Sequence, residues 1–166
     1  MIKAIALLRR RADLSRADFI AERALRDGLA RFARVIDAKD WAALCTVFAD
    51  DLTFDYGLGE RSGMAALTEN MRMFLDGCGP TQHMIGSVTV TANADRATSH
   101  AYVQARHQRP HDPGGAVFES NGEYIDRWEH RACGWRIVRR DARWFMHSGD
   151  PGILSAGHGD AWSGPL

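Results

Sequence analysis

The chain has 166 residues, enough for one domain with a substantial core. Apolar residues make up 45% and charged residues 25%, with 21 basic side chains balancing 21 acidic ones. Zero net charge gives no electrostatic footprint for DNA, RNA or an anionic membrane, and no apolar run approaches the roughly 18 residues of a membrane span, so nucleic-acid and membrane partners are not expected.

The opening MIKAIALLRRR places its charges after a short apolar stretch, the reverse of a signal peptide, so a cytoplasmic protein is expected. Residues 2–9 read as a short strand, and Arg9-Arg10-Arg11 as its solvated end. Cys45, Cys78 and Cys133 are odd in number and far apart, which predicts buried free thiols in a reducing compartment.

Ser15 is a good helix N-cap, and Asp18 at the third helical position completes a weak capping box. From there the chain reads helical to about Ala38, with Leu25, Leu29, Phe32 and Ile36 on one apolar face. Asp40 then caps a second helix, WAALCTVFA, after a tight DAKD corner. Residues 52–57 look like a strand. Residues 62–75 look helical, with Met64, Leu67, Met71 and Phe74 on one side.

After DGCGP the character changes. Residues 83–91, 97–108, 117–130 and 135–146 read as strands separated by turn signals. The last segment, SGDPGILSAGHGDAWSGPL, is rich in Gly, Ser and Pro and reads as a tail or a lid. Helices first and long strands later predict an α+β domain over 15–147, with an extension strand at 1–14 and the tail at 148–166. A curved antiparallel sheet wrapped over the helices would enclose a cone-shaped pocket for a small molecule.

Several residues in this arrangement could carry chemistry. Asp37 sits at the C-terminal, negative end of the first helix and at the edge of its apolar face. It is either solvated turn chemistry or a carboxylate that needs a donor. His83, in TQHMIG, is either a plain strand histidine or a base. A carboxylate on one ring nitrogen would fix its tautomer and leave the other nitrogen as the base.

His107 shares one strand face with Ala97, Ser99, Ala101, Val103 and Ala105, a row of small residues that would leave room for a ligand. The alternative is an exposed strand end. Tyr56 is either a core tyrosine or a hydrogen-bond donor to a carbonyl oxygen. Arg139, Asp141 and Arg143 share a face, which predicts salt bridges first and a substrate-anion contact second. The remaining histidines form no metal pattern, so no metal is expected, and no nucleophile elbow or phosphate loop is present.

Six short pieces, in this order and spacing, carry a family resemblance: D-A-K-D-W at 37–41, F-D-Y at 54–56, T-Q-H-M-I-G at 81–86, H-Q-R at 107–109, G-W-R-I at 134–137 and R-D-A-R-W at 140–144. From about residue 28 to 150 the chain resembles scytalone dehydratase and the SnoaL-like branch of the NTF2-like superfamily. The resemblance implies a cone-shaped α+β fold, a deep pocket, no cofactor and a homo-oligomer, trimer or dimer. It implies His83 as general base, Asp37 as its partner, Tyr56 as a group that polarises the substrate carbonyl, and His107 as a hydrogen-bonding pocket residue. Phe32, Ile36, Phe54, Val103, Tyr124 and Arg143 are the expected substrate contacts.

The chain also departs from that family. Ile36 stands where the fungal dehydratase has a second carbonyl-polarising tyrosine. No asparagine falls near Tyr124 and Ile125 to hold a leaving hydroxyl, and Asn121 is out of register. The first 19 residues resemble the opening of EthD-like ferredoxin-fold proteins but are too short for that fold; an added strand for oligomer contacts is the expectation. Dehydratase-type elimination is therefore the leading activity. An isomerase or epoxide hydrolase on the same fold, or a non-catalytic binding or assembly module, stands as the alternative.

Overall fold

The computed structural model describes residues 15–154. Helix α1 (Arg16–Asp37) begins with both bonds of a capping box. The Ser15 side chain accepts from the Asp18 N–H, and the Asp18 carboxylate takes the Ser15 N–H. Leu25, Leu29, Phe32 and Ile36 are buried along its inner stripe, as the helical spacing predicts. At the following corner Lys39 adopts a left-handed φ of 53°.

Asp40 caps the next segment through the Ala43 N–H, but that segment is only a 3₁₀ turn, Trp41–Thr46. The expected helix stops early because Val47 and Phe48 enter the core and open strand β1 (Phe48–Asp55). A two-residue strand, β2 (Arg61–Ser62), pairs with β1. Helix α2 (Met64–Leu75) starts after Gly63, whose φ of 86° suits a residue without a side chain.

Four long strands follow: β3 (Thr81–Asn93), β4 (Arg96–Gln108), β5 (Val117–Arg131) and β6 (Gly134–Gly149). The sheet order is β2-β1-β6-β5-β4-β3, antiparallel except for the β1–β6 pair. The strands form a curved, unclosed sheet around α1, an α+β cone. Register shifts at Gly86/Thr89, Asn121/Gly122 and Arg127/Trp128 mark bulges, which bend strands and increase twist. At Gly122 a Cβ would lie 2.2 Å from the Arg143 carbonyl oxygen, so that bulge admits only glycine without backbone movement.

Strand β4 alternates without a break: Ala97, Ser99, Ala101, Val103, Ala105 and His107 are all buried. One charged pair lies in the core. Arg140 and Asp126, both fully buried, form a bidentate ion pair with two 2.7 Å bonds. The guanidinium sits 4.1 Å from the Phe32 ring centroid and 4.2 Å from that of Tyr124. Burial disfavours its charge, but Asp126 outweighs burial and raises the Arg140 pKa.

Of the three cysteines only Cys78 is buried. Cys45 and Cys133 are exposed, on the outer side of the 3₁₀ turn and in the β5–β6 turn, which corrects the expectation for these two. After β6 a 3₁₀ turn, Pro151–Ile153, buries Ile153. The extension expected at 1–14 and the tail from 155 onward lie outside the described residues. No described helix is long and apolar enough to cross a membrane.

Candidate active site

Strands β3 to β6, the segment after β1 and the two helices meet around one cavity of about 410 Å³. This falls within the roughly 300–1,000 Å³ of small-molecule sites. Helix α1 contributes Phe32 and Ile36, and helix α2 contributes Asn70, Met71, Phe74 and Leu75. The sheet contributes His83, Ala105, His107, Phe118, Ser120, Tyr124, Ala142, Trp144 and His147, and Leu154 closes one side.

Pairing register explains how the polar groups come together. His83 pairs with Ala105, Ala105 with Ser120, and Ser120 with His147, so these four residues form one row across β3, β4, β5 and β6. Three strand spacings of about 4.8 Å separate the ends of that row along the sheet. Two small residues lie between two histidines, leaving the middle of the row open.

At one end Asp37, the last residue of α1, reaches β3. Its Oδ1 is 2.7 Å from His83 Nδ1, and its Oδ2 accepts the His83 backbone N–H at 3.0 Å. The Thr81 hydroxyl also donates to Oδ1, at 3.0 Å. Burial acts to raise the Asp37 pKa, but the His83 ring, its backbone N–H and Thr81 outweigh it and hold the carboxyl below its ordinary value. An ionised Asp37 accepts the Nδ1 proton of His83. That leaves Nε2 as the ring nitrogen with a free lone pair, on a ring that borders the cavity.

His107 lies beside it, ring centroids 5.4 Å apart and nearly perpendicular. Its Nδ1 faces the Phe118 carbonyl oxygen at 3.3 Å. Burial first, and the neighbouring His83 second, push its pKa down to about 4. His107 is therefore a neutral imidazole near neutral pH, donating from Nδ1. At the other end of the row His147 Nδ1 is 3.1 Å from the Ser120 hydroxyl, and its ring stacks on Phe118 at 5.6 Å.

The Tyr56 ring borders the cavity, but its hydroxyl is buried and has no hydrogen-bond partner. Burial raises its pKa, and the charge of Arg140 and its side-chain contact with the phenol offset part of that rise; Arg140 Nη1, like the phenol oxygen, makes no well-formed hydrogen bond. Trp144 is fixed by its indole N–H, which donates to the Tyr56 carbonyl at 3.1 Å.

The structure brings together Asp37, His83, Tyr56, His107, Phe32, Ile36 and Tyr124 at or beside this cavity. It separates the other three expected contacts. Phe54 and Val103 are packed in the core with no cavity face, and Arg143 is exposed while its neighbours Ala142 and Trp144 turn inward. Arg139 and Asp141 do pair, with Glu60 joining Arg139, but Arg143 takes no part in that group. Sequence reasoning missed Asn70, Ser120, Trp144 and His147. Asn70 had a readable signal, since it falls three residues after Leu67 and four before Phe74 on an otherwise apolar helical stripe. Among the described residues no group of three or more His, Cys, Asp or Glu is placed to hold a metal.

The described residues form a cone-shaped α+β domain of the NTF2-like fold, with a histidine–carboxylate pair at a largely apolar cavity. Residues 18–141 match the SnoaL-like domain family, and the chain belongs to that family. Solved structures agree on the fold. A protein of Novosphingobium aromaticivorans named as a candidate aromatic ring hydroxylase is 25% identical, with a TM-score of 0.71 over 79% of this chain and 94% of its own. A second protein of that organism, named as a candidate scytalone dehydratase, is 17% identical, with a TM-score of 0.72 over 79% and 88%. The type 3 hexachlorocyclohexane dehydrochlorinase of Novosphingobium barchaimii is 16% identical, with a TM-score of 0.69 over 91% and 100%. No curated protein matches the chain in sequence.

Proposed function

We propose that the protein is a cofactor-free lyase that removes water from a small, largely apolar hydroxy-carbonyl compound, such as an aromatic polyketide-like ring system. One observation carries this reading: the His83 ring is held through Nδ1 by Asp37 at 2.7 Å while it borders a cavity walled mainly by apolar side chains. Two of the structural neighbours bear the names of eliminating enzymes, a dehydratase and a dehydrochlorinase, which is consistent with it.

In this reading His83 Nε2 takes the proton from the carbon alpha to the carbonyl. The C–H electron pair becomes the new C=C bond as the C–O bond at the beta carbon breaks. The imidazolium returns its proton to the departing hydroxyl, so water leaves and His83 is neutral again. Asp37 stabilises the transient imidazolium and keeps the ring in one tautomer. Tyr56 serves as the carbonyl-side donor once its hydroxyl turns toward a ligand, and neutral His107 buttresses the base. Phe32, Ile36 and Tyr124 supply apolar contact. A homo-oligomer is part of this reading.

A bicyclic β-hydroxy ketone, 3-hydroxy-1-tetralone, tests it, because loss of water gives fluorescent 1-naphthol. The wild type should form naphthol well above the buffer rate, and His83→Asn should lose that excess by about 10²–10⁴-fold. Naphthol formation at equal rates in the two proteins would end the reading.

One observation favours a second role for the same pair. Asp37 also accepts the His83 backbone N–H and the Thr81 hydroxyl, so it ties the end of α1 to the start of β3. In a binding or assembly module the pair would serve that tie alone, and Asp37→Asn would change stability without changing any turnover.

A further inference from the structure

We infer that Asn70 is a specificity-determining residue, whose side-chain amide takes a hydroxyl oxygen of the substrate from the helical wall of the cavity. The inference rests on the proposed dehydratase reading for the substrate class, but its structural basis is independent of His83. Asn70 is 3% exposed and sits on the inward stripe of α2 among Leu67, Met71 and Leu75, each also buried. It borders the cavity. No hydrogen bond joins its side chain to any described residue.

A primary amide holds two donors and an acceptor, and leaving them unmatched in an apolar wall opposes folding. A leucine there would extend the stripe and bury more apolar surface. An amide kept in that position has a use only when a partner arrives, and the cavity is where a partner can stand. The matching chemistry is an alcohol oxygen, which accepts from the amide N–H and donates to its carbonyl at once. With His83 on the sheet side, this fixes which face of a ring system meets the base and which carries the hydroxyl. A site built to hydrogen-bond a hydroxyl also rejects analogues that lack it, because its own groups are then left unpaired.

The test uses the full chain carrying His83→Asn, so that turnover is slow on the time of the titration, and two matched probes, 3-hydroxy-1-tetralone and 1-tetralone. Calorimetry should show that this protein prefers the hydroxylated probe by about tenfold or more. Adding Asn70→Leu should shrink the preference below about threefold by weakening the hydroxylated probe alone. Thermal unfolding of the ligand-free proteins, in the otherwise wild-type chain, should show Asn70→Leu at an equal or higher Tm. Asn70→Ala, too small to clash, serves as a second variant for both readouts.

An unchanged preference in both Asn70 variants overturns the inference. So does a Tm that falls by several degrees in both, since the amide would then be bonded within the fold. If the His83→Asn protein binds neither tetralone, the bicyclic hydroxy ketone is lost as a substrate for the proposed lyase. The Tm comparison then bears on Asn70 alone: a fall in both variants overturns its role, and an equal or higher Tm in both supports an amide that has no bond within the fold.

Discussion

Asp37 Oδ1 stands 2.7 Å from His83 Nδ1 while Oδ2 takes the backbone N–H of the same residue at 3.0 Å. One carboxylate thus fixes both the position of the strand and the rotation of the ring it carries. The nitrogen-15 shifts of the His83 ring should show Nδ1 protonated and Nε2 bare in the wild type. Asp37→Asn can hold either ring nitrogen and should yield a mixed tautomer, with turnover of the tetralone reduced by about 10²–10⁴-fold. A single, unchanged tautomer in the variant would show that the carboxylate does not set it.

His107 gives the protein a defined weakness toward acid. Its folded pKa is pushed down to about 4, against about 6.5 for an unfolded histidine. The unfolded chain therefore binds a proton that the folded chain refuses between those values. Stability should fall as pH drops from about 6.5 to about 4, by at most roughly 3 kcal/mol. The groups around His107 are His83, Asp37, Phe118 and its carbonyl. Asp37 has the same sign over a lower range: its depressed pKa contributes stability above the ordinary carboxylate value that is lost as pH falls through the folded one. Urea titrations at pH 7, 5.5 and 4.5 on the wild type and His107→Gln should show the loss between 7 and 4.5 shrinking in the variant. Parallel losses would remove His107 as the cause.

Local signals carried much of this architecture. Helix α1 was readable because its cap and its apolar stripe are written in consecutive residues, and β4 because its small residues alternate for six positions. Asp37, His83 and Tyr56 were picked out by short segments that keep their order. Ser120, Trp144 and His147 were not readable, since they face the cavity only through the register of β4 on β5 and β5 on β6. A bulge at Asn121/Gly122 shifts that register midway. Arg143 was expected inward, but it lies outward by plain alternation, between Ala142 and Trp144, which both line the cavity. The second helix was overcalled because WAALCTVFA has no local stop; it ends where Val47 and Phe48 find the core.

The Asp126–Arg140 pair was invisible in the sequence because only the register of β5 on β6 sets the two residues opposite each other. Both side chains are fully buried, and the guanidinium is held between Phe32 and Tyr124. Arg140→Met leaves a carboxylate without its counter-charge and should cost about 3–5 kcal/mol in urea unfolding. The double change Arg140→Met with Asp126→Leu should recover most of that loss, because two buried charges are then replaced by apolar volume. A double variant as unstable as the single one would mean that Arg140 acts through its packing on the two rings and not through its charge.

Tyr56 completes the set, because its ring borders the cavity while its hydroxyl has no partner. A buried hydroxyl whose one polar neighbour, Arg140, makes no well-formed hydrogen bond to it adds little to stability. Tyr56→Phe removes only that oxygen and leaves in place the ring contacts with Phe54 and Tyr124. The variant should stay within about 1 kcal/mol of the wild type in urea unfolding. If the hydroxyl turns to a substrate carbonyl, kcat on the tetralone should fall by about tenfold or more, with the His83 tautomer unchanged. Such stability with kcat intact would leave Tyr56 as a wall of the cavity and would move carbonyl recognition to another donor, the first to examine being the Ser120–His147 pair at the far end of the same row.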